Sequence, residues 1–458
     1  MIFIPLLIYA FIAFSRGNVV NSLLVFFFFL TNGFQLIPQE LFDTGLVINK
    51  ALDFAIIYIV VINVYLLFTN KYLYKSNTIV IRWLYAFALF YCVVIYVNIY
   101  IYNVPVSSVI KNSRYYLLLP VIFIFKYLYP DEIDRLKLIL FRISIVLSFI
   151  FILQVIFSVQ ILTGHVGGTM DLAGMKIIRF YNIPILTYYF LFYSIFSNPF
   201  EGKWKYISQT IIILSFILPM HRGFLASFFV LLLYGIYVTQ KTPGRFLKTS
   251  LVISVLLLPL SGLIIDRFST KVNTNDITEL FVQGISGYDR EMSETQTMYF
   301  RFAHTLERLV YVYEDPDKTY ALCGLGLWTD DDEAGLQKFD FVTGYVFKED
   351  YENLHIFFTN DIAWSVFITQ IGLVGMFFYL GFYCSFTWFF FKRRKNITAL
   401  INLLVLLLFI FTSISSVEIL TVMGFVMCMM DYVKLSEEKN KTLSNDDFQS
   451  TNLYVTQA

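Results

Sequence analysis

Charge is scarce in this chain: only 15% of the 458 residues are Asp, Glu, Lys or Arg, where a water-soluble domain carries roughly 25%. In its place stand 58% hydrophobic and 19% aromatic residues, more than a soluble globule of ordinary size covers with polar surface. Cysteine is scarce too. Cys92, Cys323, Cys384 and Cys428 form no pair with metal-ligand or disulfide-framework spacing, which argues against a zinc module or a disulfide scaffold. They read as small buried hydrophobes. Also missing are internal repeats and a clustered basic face, so nucleic acid is not an expected partner. The first apolar run has no basic residue before it and no small-residue cleavage site after it, so no cleaved signal peptide is expected.

What is present is a series of long apolar runs, near the length that crosses a hydrocarbon core of about 30 Å. They lie at about 2–14, 19–38, 52–69, 79–102, 115–129, 138–161, 180–197, 204–219, 223–239, 249–265, 361–391, 397–413 and 417–433. None alternates at period two, so a membrane β-barrel is excluded, and a helix is the remaining way to satisfy backbone in lipid. The expected fold is an all-α polytopic membrane protein of about 12–14 transmembrane helices. Helices 1–10 fall within 1–265, a large extracytoplasmic loop containing helices within 266–360, helices 11–13 within 361–433, and a disordered cytoplasmic tail within 434–458.

Lysine and arginine in the short connections set the orientation. Lys71 with Lys75, Arg135 with Lys137, Lys203 with Lys205, Lys241 with Arg245 and Lys248, and the run Lys392–Lys395 all fall on one side of this helix count, which is therefore cytoplasmic. The 266–360 segment then lies outside. It carries 18 acidic and 8 basic residues, and loops of such length are usually functional. Within it, Thr295 to Glu314 has helical periodicity, with Phe302, Leu306, Leu309 and Tyr313 opposite Arg301, His304 and Arg308. His304 is expected to be exposed on that polar face. Asp330 to Glu333 reads as a solvated acidic turn, lacking the ligand alternation of a calcium loop. His165, among three glycines, sits in an outside loop within reach of a substrate. Trp328, Tyr345 and Tyr351 read as the loop's own core or as stacking surfaces for sugar rings.

Several cations fall on the outward side, against the usual bias: Arg114, Arg179, His221, Arg222, Arg301, Arg308 and His355. Arginine's planar fork matches phosphate oxygens, whereas a lone arginine at a helix end often serves to snorkel to the headgroups. Arg114 is read as such an anchor. The other cations belong to longer patterns. Pro219-Met220-His221-Arg222-Gly223-Phe224 resembles the arginine-glycine element of the O-antigen polymerase and O-antigen ligase superfamily. Arg179-Phe180-Tyr181-Asn182-Ile183-Pro184 resembles the family's arginine and Asn/Pro element. Arg301 leads a helix that precedes Cys323-Gly324-Leu325-Gly326-Leu327-Trp328, which is similar to its Gly-x-Gly element. Asn353-Leu354-His355-Ile356-Phe357, followed by Gly372-Leu373-Val374-Gly375, is similar to its histidine element and Gly-x-x-Gly helix. The resemblance spans about residues 160 to 390.

That resemblance implies a membrane glycosyltransferase of the cytoplasmic (inner) membrane, joining sugar chains carried on undecaprenyl diphosphate at the outer face. Arg222, Arg301 and Arg179 would hold the diphosphate, in place of a metal or other cofactor. His355 would take the acceptor proton or bind sugar, with Glu352 and Asp361 beside it to orient it or act instead. His221, Arg308, Gly324 and Gly326 would complete the substrate site. Expected partners are the undecaprenyl-diphosphate-linked oligosaccharide, membrane lipid, a flippase and a chain-length regulator. The ligase branch has Asn after its histidine, whereas Ile356 follows His355, which points to polymerase over ligase. A transporter would more usually show inverted repeats and ionisable residues at helix centres.

The orientation predicts a labelling pattern in a background freed of native cysteines. Ser286→Cys and Lys338→Cys should react with an impermeant thiol reagent on intact spheroplasts, and Asn396→Cys should not. Outside labelling of Asn396→Cys would reverse the topology.

Overall fold

The computed structural model describes residues 3–44, 49–69, 78–164, 166–172, 175–219, 221–240, 297–316, 318–329, 362–421 and 424–437, with the single positions 242, 244, 247 and 339. The described chain is mostly helical, as apolar sequence without period-two alternation requires in lipid. The helices are α1 (Ile4–Ser15), α2 (Val19–Leu30), α3 (Ala51–Thr69), α4 (Ile79–Tyr100), α5 (Val106–Ser113), α6 (Val121–Phe125), α7 (Pro130–Phe157), α8 (Thr187–Phe196), α9 (Gly202–Ile217), α10 (Arg222–Thr239), α11 (Thr297–Glu314), α12 (Thr319–Cys323), α13 (Ala363–Lys392) and α14 (Ile397–Thr412), followed by α15 over 426–437. Of these, α3, α4, α7, α10 and α13 are long and apolar enough to cross a membrane; α1, α2, Tyr116–Phe125 and α14 are shorter apolar segments.

Three expected spans are corrected. Pro120 divides the 115–129 run into a 3₁₀ turn, Tyr116–Leu118, and α6, because its ring removes the backbone donor that a continuous helix needs. The run from 180 begins as strand. β1 (Val166–Leu172) pairs antiparallel with β2 (Met175–Phe180), Leu172 opposite Met175 and Val166 opposite Phe180, so the described fold is helical with one hairpin rather than all-α. The last span starts later than expected, because 413–421 forms turns before α15. The 249–265 run and the 434–458 tail beyond residue 437 lie outside the described residues.

Local chemistry sets several helix starts. Glu132 accepts the Tyr129 backbone N–H at 2.9 Å, with Pro130 at the first position of α7. Asn396 caps α14 by accepting from the Ala399 N–H at 3.2 Å. In the bundle α13 lies along α4, α10 against α14, α14 against α8, and α7 against α2 and α9. One continuous apolar core runs through these contacts.

The bundle has two polar ends, named here by the segments they carry. At the tail end, two ion pairs join α7 to α15: Asp134 to Lys434 at 2.6 Å and Lys137 to Asp431 at 2.8 Å. Asp431 is fully buried and also accepts from the Tyr189 hydroxyl at 2.5 Å and the Asn402 amide at 2.8 Å. Lys137 was read as a connecting-loop charge; it lies inside α7, where a partner with several donors offsets its desolvation. Two cysteines are corrected as well. Cys323 and Cys428 are buried, but Cys92 and Cys384 are exposed on α4 and α13, on surface that lipid covers when these helices span.

At the loop end, the decisive feature is a break in α13. Gly372 has φ 67° and ψ −177°, a backbone region essentially restricted to glycine. The break releases the Thr369 carbonyl, which accepts from the Leu325 N–H at 2.7 Å and the Gly326 N–H at 3.2 Å. The Cys323–Trp328 segment thereby wedges into the helix. Gly324 and Gly372 meet backbone to backbone: a Cβ on Gly372 would stand 2.5 Å from the Gly324 nitrogen, and one on Gly324 2.5 Å from the Thr369 oxygen. Asn98 receives the Leu327 N–H at 2.5 Å, and Asn112 donates to the carbonyls of Leu327 and Trp328 at 3.0 and 2.6 Å.

Gly372→Ala should therefore cost about 3 kcal/mol or more, from strain and overlap together. Gly375→Ala, whose added carbon meets mainly side chains of Ile371 and Phe90, should cost less. Melting of the purified proteins in detergent checks the order, and equal melting points would remove the wedge from the account.

Candidate functional site

Arg222 is the first residue of α10, half-buried. His221 caps that helix, its Nδ1 accepting from the Phe224 N–H at 3.5 Å. The space beside Gly223 holds Ser415, whose hydroxyl would stand 2.6 Å from a Cβ there. Ser415 belongs to the 413–421 turn that links α14 to α15. The same turn holds the start of α13: the Ala363 N–H donates to the Ser413 carbonyl at 3.3 Å and the Trp364 indole to the Ser413 hydroxyl at 3.1 Å. Next along α13, Ser365 meets His304 Nδ1 at 2.8 Å and the Thr305 hydroxyl at 3.1 Å. Thr305 donates in turn to the Arg301 carbonyl at 3.0 Å. The structure thus brings the heads of α10 and α13 to one turn, and α11 joins them through the head of α13, with Arg301 one helical turn from Thr305.

A carboxylate completes the cluster. Glu418, half-buried in the turn, accepts from the Tyr188 hydroxyl at 3.2 Å and from the Ser416 hydroxyl. The Tyr188 ring packs on Phe224 at 5.3 Å between centroids, two residues from Arg222. Sequence reasoning passed over Glu418 and Tyr188. The available signal was a polar stretch, Ser413 to Glu418, between two apolar runs, since an ionisable residue at membrane depth is a site candidate by default.

Other expected site residues stand elsewhere. Arg308 is fully buried, stacked 4.3 Å from the Phe339 ring centroid and donating to the His304 carbonyl at 3.0 Å and Glu307 at 3.1 Å. These contacts pack Arg308 into the interior. The two faces of α11 are also reversed from expectation. Ala303, His304, Arg308 and Val312 are buried, whereas Leu306, Val310 and Tyr313 are exposed. The i, i+4, i+8 row through His304 is turned inward, where the Ser365 hydroxyl of α13 meets the His304 ring. Gly324 and Gly326 form the α13 wedge. Arg179 lies in β2, and the neighbouring Asn182 is buried and structural, donating to the Leu162 carbonyl at 2.5 Å and accepting from Gln154 at 2.8 Å. His355, Glu352, Asp361, His165, Asp330 to Glu333, Tyr345 and Tyr351 lie outside the described residues.

No family model matches the chain, and neither the curated proteins nor the solved structures gave a match.

Arg114 is corrected most sharply. It is buried and holds Asp53 through two bonds, Nε to Oδ1 at 2.6 Å and Nη2 to Oδ2 at 2.9 Å, while also donating to Asn49 at 2.6 Å. A snorkelling anchor has no such partner; this is a bidentate pair that fastens the α5 end to the head of α3. Arg114→Ala should leave Asp53 charged and buried, a loss of about 3–5 kcal/mol. The expected readout is low protein abundance, and Arg114→Ala protein at wild-type level and melting point would contradict the pair's structural role.

His304 generates a pH prediction. Burial, and then the Arg308 cation beside it, push its pKa down to about 2, so it stays neutral in the folded protein. The unfolded chain takes up a proton below about 6.5. Stability attached to His304 is therefore present above that value and falls by about 1.4 kcal/mol for each pH unit below it. Between pH 7 and pH 5, His304→Gln should lose less stability than the wild type, read by denaturant titration in detergent. An equal loss in both proteins would show that His304 does not carry the dependence.

Proposed function

We propose that this protein is a polymerase of undecaprenyl-diphosphate-linked oligosaccharide repeat units (O-antigen, capsule or exopolysaccharide) at the outer face of the cytoplasmic membrane. The observation that supports the reading is one turn, at one end of an apolar helical bundle, on which the heads of α10, with Arg222, and of α13 both pack, while α11, with Arg301, is bonded to the head of α13. Transfer of a glycan from a lipid diphosphate needs a cationic seat for the departing diphosphate, a hydroxyl acceptor brought to the anomeric carbon, and a group that removes the acceptor proton. Two arginines on separate elements suit the first requirement, because guanidinium forks pair with phosphate oxygens while keeping their charge at any working pH. The lipid carrier's chain has apolar helix surface to lie against, and its diphosphate reaches the bundle at headgroup depth.

Within this reading Arg222 and Arg301 grip the diphosphate, and His221 orients the first turn of α10 through its cap. Arg179 stands on the hairpin at the same end of the bundle. Departure of the diphosphate is the step at which arginine contacts strengthen, so their loss should act on rate more than on protein level.

Arg222→Ala and Arg301→Ala should each lower polymer formation about 100- to 1,000-fold, the usual cost of one charge-stabilising donor, with protein abundance unchanged. Arg222→Lys should rescue poorly, since a point charge does not reproduce the fork. Glycan ladders from cells carrying each variant provide the measurement. Full activity of Arg222→Lys together with wild-type polymer from Arg301→Ala would make both arginines ordinary anchors. Long polymer still attached to the lipid carrier in cells lacking the protein would replace polymerisation by ligation.

A further inference from the structure

We infer that Glu418 is the general base of the transfer, an assignment that rests on the polymerase reading and gives that site its proton acceptor. Three observations carry it. Glu418 lies in the turn that the heads of α10 and α13 clasp, three residues from the serine that fills the space beside Gly223. It is half-buried, near enough to the surface for a substrate hydroxyl and far enough from bulk water for its charge to act strongly. Two hydroxyls from different elements, Tyr188 of α8 and Ser416 of the turn itself, orient its carboxylate, and the Glu418 N–H donates to the Ser416 hydroxyl at 3.2 Å. These two donors, on separate carboxylate oxygens, fix its direction.

The groups that face it are chemically suited to the task. Tyr188 and Tyr115 stand nearby as phenols, and His221 and Arg222 head α10 across Ser415. The first turn of α13 presents Ala363, Trp364 and Ser365, none of which competes as a base. Glu418 and the residue that follows Arg222 thus pack into one turn, and a displacement calls for two services there: proton removal from the acceptor and charge stabilisation of the departing diphosphate.

The step balances as follows. The acceptor hydroxyl gives its proton to the Glu418 carboxylate as its oxygen bonds to the donor's anomeric carbon. The bond between that carbon and the diphosphate oxygen breaks, and its electron pair leaves on the diphosphate, whose added negative charge is met by Arg222 and Arg301. Glu418 then loses the proton to water.

The test uses purified full-length protein in liposomes, with lipid-linked repeat units extracted from cells lacking it. Wild-type rate should fall toward acid pH as Glu418 takes up a proton. Glu418→Gln, nearly isosteric and still able to accept from Tyr188, should lower the maximal rate about 100-fold or more, leave KM for the donor little changed, and flatten that acid limb. Tyr188→Phe supplies a second measurement should Glu418→Gln fail to accumulate. A donor to a carboxylate favours its charged form, so removing the phenol should move the acid limb to higher pH. A wild-type rate and unaltered pH profile in Glu418→Gln, or an unshifted limb in Tyr188→Phe, overturns the assignment while leaving polymerisation intact. No polymer from the wild-type protein overturns both.

Discussion

A carbonyl released by a broken helix must find a donor, and in this protein the Thr369 carbonyl finds two. The Leu325 and Gly326 amides that satisfy it hold the extramembrane segment to the bundle, and the break at Gly372 exists only because glycine tolerates that backbone. Much of the loop end follows from this contact. With the 323–328 segment fixed in α13, α12 and α11 are tethered beside the head of the same helix, and Ser365 comes within reach of His304 and Thr305. The position of Arg301 is thus a consequence of backbone hydrogen bonding two turns further along α13. The glycine-rich element at 323–328 lets backbone approach backbone.

Buried charge follows one rule at both ends of the bundle. Arg114 with Asp53, and Lys137 with Asp431, are paired across elements remote in sequence, and each carboxylate takes additional donors from neutral side chains or backbone. Such pairs offer little net stabilisation over apolar packing, yet breaking one is costly, so they fix register between helices whose apolar faces would otherwise slide. Glu418 differs in kind. It takes hydroxyl donors from Tyr188 and Ser416, and it sits half-buried in a turn rather than sealed between helices. Asp53 and Asp431 meet cations at close range, whereas the carboxylate in the turn is oriented by the Tyr188 and Ser416 hydroxyls.

Legibility in the sequence tracked the length of the physical signal. The apolar runs that became α3, α4, α7, α10 and α13 were readable because about twenty apolar residues have one stable form in lipid. The α11 helix was readable from period, with ends two residues from expectation at most. Its orientation was not, because periodicity reveals two faces without saying which one meets protein. Ordinarily the apolar face is buried; in α11 the row through His304 and Arg308 is buried, since Ser365 and Phe339 supply polar and aromatic partners that lie elsewhere in the chain. Arg114 misled for the same reason: Asp53 is 61 residues away, and no local pattern announces such a partner. The hairpin at 166–180 was hidden by its brevity beside a run that reads as helix.

The cluster at the loop end therefore combines a legible half and an illegible half. Arg222 and Arg301 each stand out locally, as cations at the head of an apolar helix and of an amphipathic one. What relates them is the turn 413–421, whose serines carry no signal of their own beyond interrupting two apolar runs. That turn is short of regular structure because its polar side chains take over the backbone's hydrogen bonds: the Ser413 hydroxyl returns to the Ile410 carbonyl, Ser415 to Thr412, and Ser416 receives the Glu418 N–H, the competition that keeps serine out of helix interiors. A continuous helix through 413–421 would carry Glu418 along its own surface and leave the heads of α10 and α13 without Ser415 and Ser413 to pack on. The serines thus have a chemical consequence through geometry alone, because by ending α14 they set a carboxylate among elements that bring arginines to the same end of the bundle.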